Sequence, residues 1–180
     1  TTRVVPFNDI EELEKVLAIG DVACLLMEPA LTNIGIVLPE HGYLEGLQEL
    51  CQKYGVIFAL DETHTLSAGI GGITKRDNLK PDAVVLGKTI GGGVPVGALG
   101  FTSDLATRIA ESLELESIDV GGVGGTLAGN ALSMAAVRAT LEEVLIESNF
   151  QRMEELATLW QQNTQDIIDH YKLDWQVSRI

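Results

Sequence analysis

HGYLEGLQELCQKYGVIFALDE, residues 41–62, changes its hydrophobic period halfway along, and that change sets the fold class. Up to Tyr54, apolar residues recur at helical spacing through Leu44, Leu47, Leu50 and Cys51,. Gly55 then stands where a left-handed helix terminator belongs,. From Val56 the run is short, continuous and apolar, as in a strand covered on both faces,. A helix feeding directly into a buried strand is half of a βαβ unit, and the other half lies upstream. DVACLLMEP, residues 21–29, is a second apolar run of the same kind, stopped by Pro29.

The pattern repeats outward. DAVVLG, residues 82–87, follows a loop ending at Pro81, and GALGFT, residues 97–102, leads into Ser103, expected to cap a helix over DLATRIAESL,. At the other end Asn8 stands three residues before Glu11 and is expected to cap the helix IEELEKVL, which closes near Gly20,. Buried strands alternating with amphipathic helices predict an α/β domain: three αβα layers around a mostly parallel sheet. LELESIDVGGVGGT is expected to be a loop, with Gly121, Gly122, Gly124 and Gly125 opening backbone shapes closed to other residues,. From Ala128 to about Tyr171 the pattern is helical, with a break expected near Ser148 and Asn149, and LDWQVSRI reads as the start of a further strand. There is no internal repeat.

Bulk composition narrows the function classes. The chain has 180 residues, 46% of them hydrophobic, enough for a sizeable core,. With 12 Lys and Arg against 26 Asp and Glu, the formal charge of −14 repels nucleic acid and anionic membrane surfaces, so neither is an expected partner,. Cys24 and Cys51 both sit in apolar patterns and are expected to be buried thiols of a reducing, cytoplasmic compartment, with a disulfide or metal pair as the lesser reading,. No apolar run reaches membrane-spanning length,. The stretch TTRVVPFNDIEELEK lacks the apolar core of a secretory signal, and the absence of an initiator Met points to a processed or excised chain,.

VVLGKTIGGG, residues 84–93, holds a lysine among glycines at the end of an apolar run, and two chemistries use that combination. A phosphate-cradling loop requires a glycine five positions before the one that precedes the lysine, but position 82 is Asp,. DETH at 61–64 resembles the acidic motif of helicase-type ATPases, yet in those proteins it follows the lysine loop, and here it precedes it. The other chemistry needs a carboxylate and an amine at the C-terminal ends of neighbouring strands, where ligands collect in open α/β sheets. Asp61 ends VIFALD and Lys88 ends AVVLGK. An amine that forms a Schiff base, paired with a carboxylate that keeps a pyridine nitrogen protonated, is what pyridoxal phosphate requires. Singly, such an Asp is more often a cap and such a Lys a solvated loop residue.

Three longer motifs carry a resemblance. EPALTNIGIVLPEHGYLEGLQELCQKYGVIFALDETHT, PDAVVLGKTIGGGVPVGALG and GGTLAGNALSMAA occur in that order, and the chain from about residue 3 to its C-terminus resembles the class III aminotransferases of fold type I, especially the glutamate-1-semialdehyde aminomutase-like branch. The resemblance implies that Lys88 forms the Schiff base and moves a proton between substrate and cofactor, and that Asp61 pairs with the pyridine nitrogen. Thr63 falls where the family usually carries a valine stacked on the ring. His64 falls where many members place a residue near the phenolic oxygen, with a structural hydrogen-bonding role as its other reading. Asn33 matches a position near the same oxygen, with a loop-capping asparagine as the alternative. Thr126 matches a hydroxyl that reaches the phosphate bound by a neighbouring subunit, which implies a homodimer. Glycines 91–93 fit a tight turn beside the cofactor or a purely structural one, and Glu62 is given no more than a supporting hydrogen bond.

The implied activity is PLP-dependent transfer of an amino group between an amine or amino acid and a keto acid or aldehyde. The alternatives are an intramolecular amino shift and a non-catalytic fragment. Residues 1–145 would form the central part of the PLP-binding large domain, and residues 146–180 a helix and the start of an incomplete C-terminal small domain. Where aminomutase relatives carry an arginine in a TGFR-like run, this sequence has THTLSAGIGG, so no basic residue there meets a substrate carboxylate. Family members are more than twice as long, and the segment alone is expected to be inactive or a weak cofactor binder.

Overall fold

The computed structural model describes residues 2–112 and 124–180. Its centre is the predicted unit: helix α2 (Tyr43–Tyr54) ends at Gly55, whose φ of 66° lets the chain reverse within one residue into strand β2 (Ile57–Asp61),. Upstream, helix α1 (Ile10–Leu17) precedes strand β1 (Cys24–Met27). Downstream, a short helix α3 (Gly72–Arg76) leads to strand β3 (Ala83–Leu86), and strand β4 (Ala98–Phe101) runs into helix α4 (Ser103–Ser112). The sheet order is β1-β2-β3-β4, with the first three strands parallel and β4 antiparallel to β3. The mostly parallel sheet is as the sequence predicts.

Alternation along β2 splits the core in two. Phe58 and Leu60 point to the face covered by Leu13 and Leu17 of α1 and by Leu44, Leu47 and Cys51 of α2. Ala59 faces the other way with Ala83, against Leu105 of α4. Helices on opposite faces of one sheet give the three layers. Each fully buried leucine or phenylalanine stabilises this arrangement by about 1.5–3 kcal/mol through removal of apolar surface from water.

Several local expectations are corrected. The α1 cap is Asp9, whose side chain accepts the Glu12 N–H at 2.9 Å; Asn8 instead bridges to the loop before α2, bonding Leu38 O and Glu40 N. Thr102, one residue before the expected Ser103, caps α4 by accepting from Leu105 N at 3.3 Å. Strand β1 is not covered on both faces: Leu25 and Met27 meet the α1–α2 layer, while Cys24 and Leu26 are exposed. The reason is lateral, since α4 covers β2 and β3 on that face and stops short of β1. Cys24 is therefore an exposed thiol and Cys51 a buried one, both unpaired.

The C-terminal helices also differ in detail. Asn130 caps helix α5 (Ala131–Ala139), which continues as a π turn over Thr140–Val144. The break falls at Leu145 and Ile146 rather than at 148–149, because Asn149 turns its side chain back onto the Val144 carbonyl at 2.9 Å. Helix α6 (Glu147–Tyr171) follows. Residues 173–180 form no strand. Most of the expected glycine loop, Gly121 and Gly122 included, lies outside the described residues, and Gly124 and Gly125 begin the turn that leads into α5.

Candidate active site

The C-terminal ends of β2 and β3 hold the candidate chemistry. Asp61 is the last residue of β2 and pairs in register with Val85 of β3, so Lys88 lies three residues past that partner on the adjoining strand's exit. Glu62 N–H then donates to Val85 O at 2.9 Å, extending the pairing one residue further and fixing where the β2 exit leaves the sheet.

Beyond this point the side chains of DETHT alternate. Asp61 Oδ1 accepts the Thr63 N–H at 2.9 Å, an Asx-type turn that curls the chain over the strand end,. Its Oδ2 makes no hydrogen bond among the described residues and is open to a donor. Glu62 turns the opposite way, into the protein, where it is 1% exposed. Its Oε1 accepts from Thr74 N and Thr74 Oγ1, both at 2.6 Å, and its Oε2 from Ile73 N at 3.1 Å and Thr65 Oγ1 at 2.5 Å. A carboxylate thus satisfies the free N–H groups at the start of α3, with charge-assisted bonds. A Cβ at Gly72 would meet its Oε2 at 2.5 Å, so only glycine fits beside it. Sequence reasoning missed this role, because Thr74 lies twelve residues along and meets Glu62 only after the chain reverses.

The β3 exit is built differently. Lys88 has φ +43°, a left-handed backbone that is rare outside glycine, and it opens the 3-10 turn Lys88–Gly91,. It is exposed, and its amine has no partner among the described residues. A Cβ at Gly87 would lie 3.1 Å from Thr63 Cγ2, so the two exits press together where the lysine and carboxylate loops meet. Gly92 and Gly93 have φ of +57° and +101°, as a tight turn after the lysine requires,.

His64 packs across to the β1 exit. Thr32 Oγ1 donates to Glu28 Oε2 at 2.5 Å and is hydrogen-bonded to His64 Nδ1, which also lies 3.5 Å from Glu28 Oε2. Asn33 is exposed and caps nothing among the described residues, but it lines the same cavity of about 450 Å³ as His64. Thr126 is exposed in the turn before α5, and no described contact joins it to the other candidates. A smaller cavity, about 190 Å³ and lined by Phe58 and Asp82, lies at the opposite, N-terminal end of these strands and has none of this chemistry. Among the described residues no cluster of three His, Cys, Asp or Glu could hold a metal.

An amine without a partner and a carboxylate with one open oxygen, at the exits of adjacent strands, are groups that suit a flat pyridinium ring bearing an aldehyde,. Glutamate-1-semialdehyde 2,1-aminomutase from Myxococcus xanthus is 38% identical over 161 residues, which cover 88% of this chain and 36% of that protein. The structure of a glutamate-1-semialdehyde-aminomutase from Pseudomonas aeruginosa in complex with PMP superposes with TM-score 0.94 at 43% identity, covering 100% of this chain and 41% of that one. An omega-transaminase from Sphaerobacter thermophilus superposes with TM-score 0.83 at 27% identity, over 98% of this chain and 40% of that one. The chain thus spans about two-fifths of the length of the relatives it matches. The family model for aminotransferase class-III matches residues 3–178, and the chain belongs to that family of PLP-dependent aminotransferases and aminomutases.

Proposed function

We propose that this chain carries the amine and the carboxylate of a pyridoxal-phosphate enzyme that moves an amino group between an amine or amino acid and a carbonyl acceptor. The observation that carries the reading is Lys88, an unpartnered amine on a left-handed backbone at the exit of β3, beside the exit of β2 that ends in Asp61. When bound, pyridoxal phosphate supplies an electron sink for charge on the substrate carbon. Lys88 would hold the cofactor through its amine and, once free, carry a proton at Nζ to and from the substrate carbon. Asp61 would hold the proton on the ring nitrogen through Oδ2, while the Thr63 N–H fixes Oδ1. Thr63 would lie against the ring, and His64 and Asn33 would lie toward its phenolic oxygen.

The reading extends to a homodimer in which Thr126 reaches the partner's phosphate, and to a cytoplasmic setting, which the two unpaired thiols support,. Residues 1–145 would belong to the large domain and residues 146–180 would lead into the small one. A second reading, an amino shift within one molecule, is favoured by the aminomutase names of the relatives from M. xanthus and P. aeruginosa. The run THTLSAGIGG, without an arginine, favours transfer with a different substrate.

Borohydride reduction of the protein with pyridoxal phosphate is the first test. A mass adduct on Lys88, absent in Lys88→Ala, is expected; a folded protein with no adduct leaves a non-catalytic chain. Turnover of an amino donor with and without a keto acid then separates the two enzyme readings, since a mutase needs no external acceptor.

A further inference from the structure

The left-handed backbone of Lys88, φ +43°, is costly for a residue with a Cβ and persists only where its surroundings hold it,. The turn that the lysine opens shows what those surroundings are. Ile90 and Gly91 are buried at its far end, and α5 and the π turn that follows it both pack against it. On that helix Ser133 and Thr140 are buried and Ala136 and Val137 half-buried, at the i, i+3, i+4 and i+7 spacing of one helical face,. Their small side chains let the helix come close to the turn.

Thr140 meets the turn at Gly92. A Cβ there would lie 2.6 Å from Thr140 Oγ1, so glycine is required for the close approach as well as for its φ of +57°,. The hydroxyl is fixed in direction, because Oγ1 donates to Ala136 O at 2.8 Å, one turn back,. The Thr140 carbonyl in turn accepts from Leu145 N at 2.8 Å, five residues on, which is the bond of a π turn. Such turns are rare and occur mostly at functional sites. This one begins at the residue that touches the lysine turn.

We infer that Thr140 is a positioning residue for Lys88: its hydroxyl seats Gly92 and so keeps the turn closed on a left-handed lysine. The amine stays free while the backbone that presents it is held. The inference rests on the proposed function for what Lys88 does, and on the packing alone for the seat.

A mutant cycle at position 88 tests the seat without cofactor. With the turn held left-handed, Lys88→Gly should show an unfolding equilibrium constant in urea about fivefold smaller than Lys88→Ala. In the Thr140→Ala background that ratio should fall to about one, because a released turn lets either residue leave the left-handed region. Thr140→Ser keeps the oxygen and should keep the ratio. A hydroxyl that only stabilised α5 would weaken both position-88 variants equally and leave the ratio unchanged. Borohydride trapping then reads the lysine itself. The Lys88 adduct with pyridoxal phosphate should form about tenfold more slowly in Thr140→Ala than in the parent, and at the parent rate in Thr140→Ser. A ratio that survives Thr140→Ala, or an adduct that forms there at the parent rate, overturns the assignment. A missing adduct in the parent overturns the proposed function, and the urea cycle still decides the seat.

Discussion

The exits of β2 and β3 lie side by side and are held by opposite means. After β2, a buried carboxylate receives four hydrogen bonds and ties Asp61 and Thr63 to the start of α3. After β3, Lys88 is exposed, adopts a left-handed backbone and is followed by glycines. The platform that would hold a charged ring is over-determined by its surroundings, while the amine that must let go of one partner to act is left free. Rigidity and strain are thus divided between two adjacent loops, and each can be removed separately.

Removing the rigid side should cost the most. Glu62→Ala leaves two backbone N–H groups and two hydroxyls without their acceptor, and a loss of about 3 kcal/mol is expected in urea unfolding,. An unchanged midpoint would show that the β2 exit is no better anchored than the β3 exit. Gly72→Ala drives a methyl against Glu62 Oε2, 2.5 Å from the ideal Cβ position, at a backbone φ of +63°; about 2 kcal/mol of destabilisation is expected by the same measurement,.

On the other exit the sign should reverse. Lys88→Gly removes the left-handed penalty and should be more stable than Lys88→Ala by about 1 kcal/mol, although both lose the cofactor adduct,. Equal stabilities would remove the argument that strain is stored at the lysine.

The smallest effect is expected far from both exits. Burial, with Asp82 and then Cys24 adding, pushes the Cys51 thiol up to about 12, above its ordinary 9.0. The folded state keeps the proton that the unfolded chain releases. Its contribution is therefore complete below pH about 9 and is lost as pH rises toward about 12,. Urea midpoints across that range should fall less in Cys51→Ala than in the parent. In the folded protein at neutral pH, a thiol reagent should modify the exposed Cys24 first,.

Much of the frame was readable in one dimension, because it depends on local period and backbone chemistry. The helical spacing before Gly55, the apolar run after it and the placement of Asp61 and Lys88 at strand ends all follow from the residues themselves. The misread features are those where a side chain finds a distant partner. Asn8 has the sequence context of a cap, but the loop before α2 recruits it and Asp9 takes the role. Cys24 reads as buried, yet no described helix lies over its side of β1.

The sequence by itself determined the alternation of strands and helices, and with it the arrival of a carboxylate and a lysine at the same edge of the sheet, since periodicity and turn residues act over a few positions. Only the tertiary structure decided that Glu62 anchors α3 and that His64 faces Thr32 and Glu28. Those bonds join residues up to 36 positions apart, and a buried polar group is satisfied by whatever the folded chain brings within reach,.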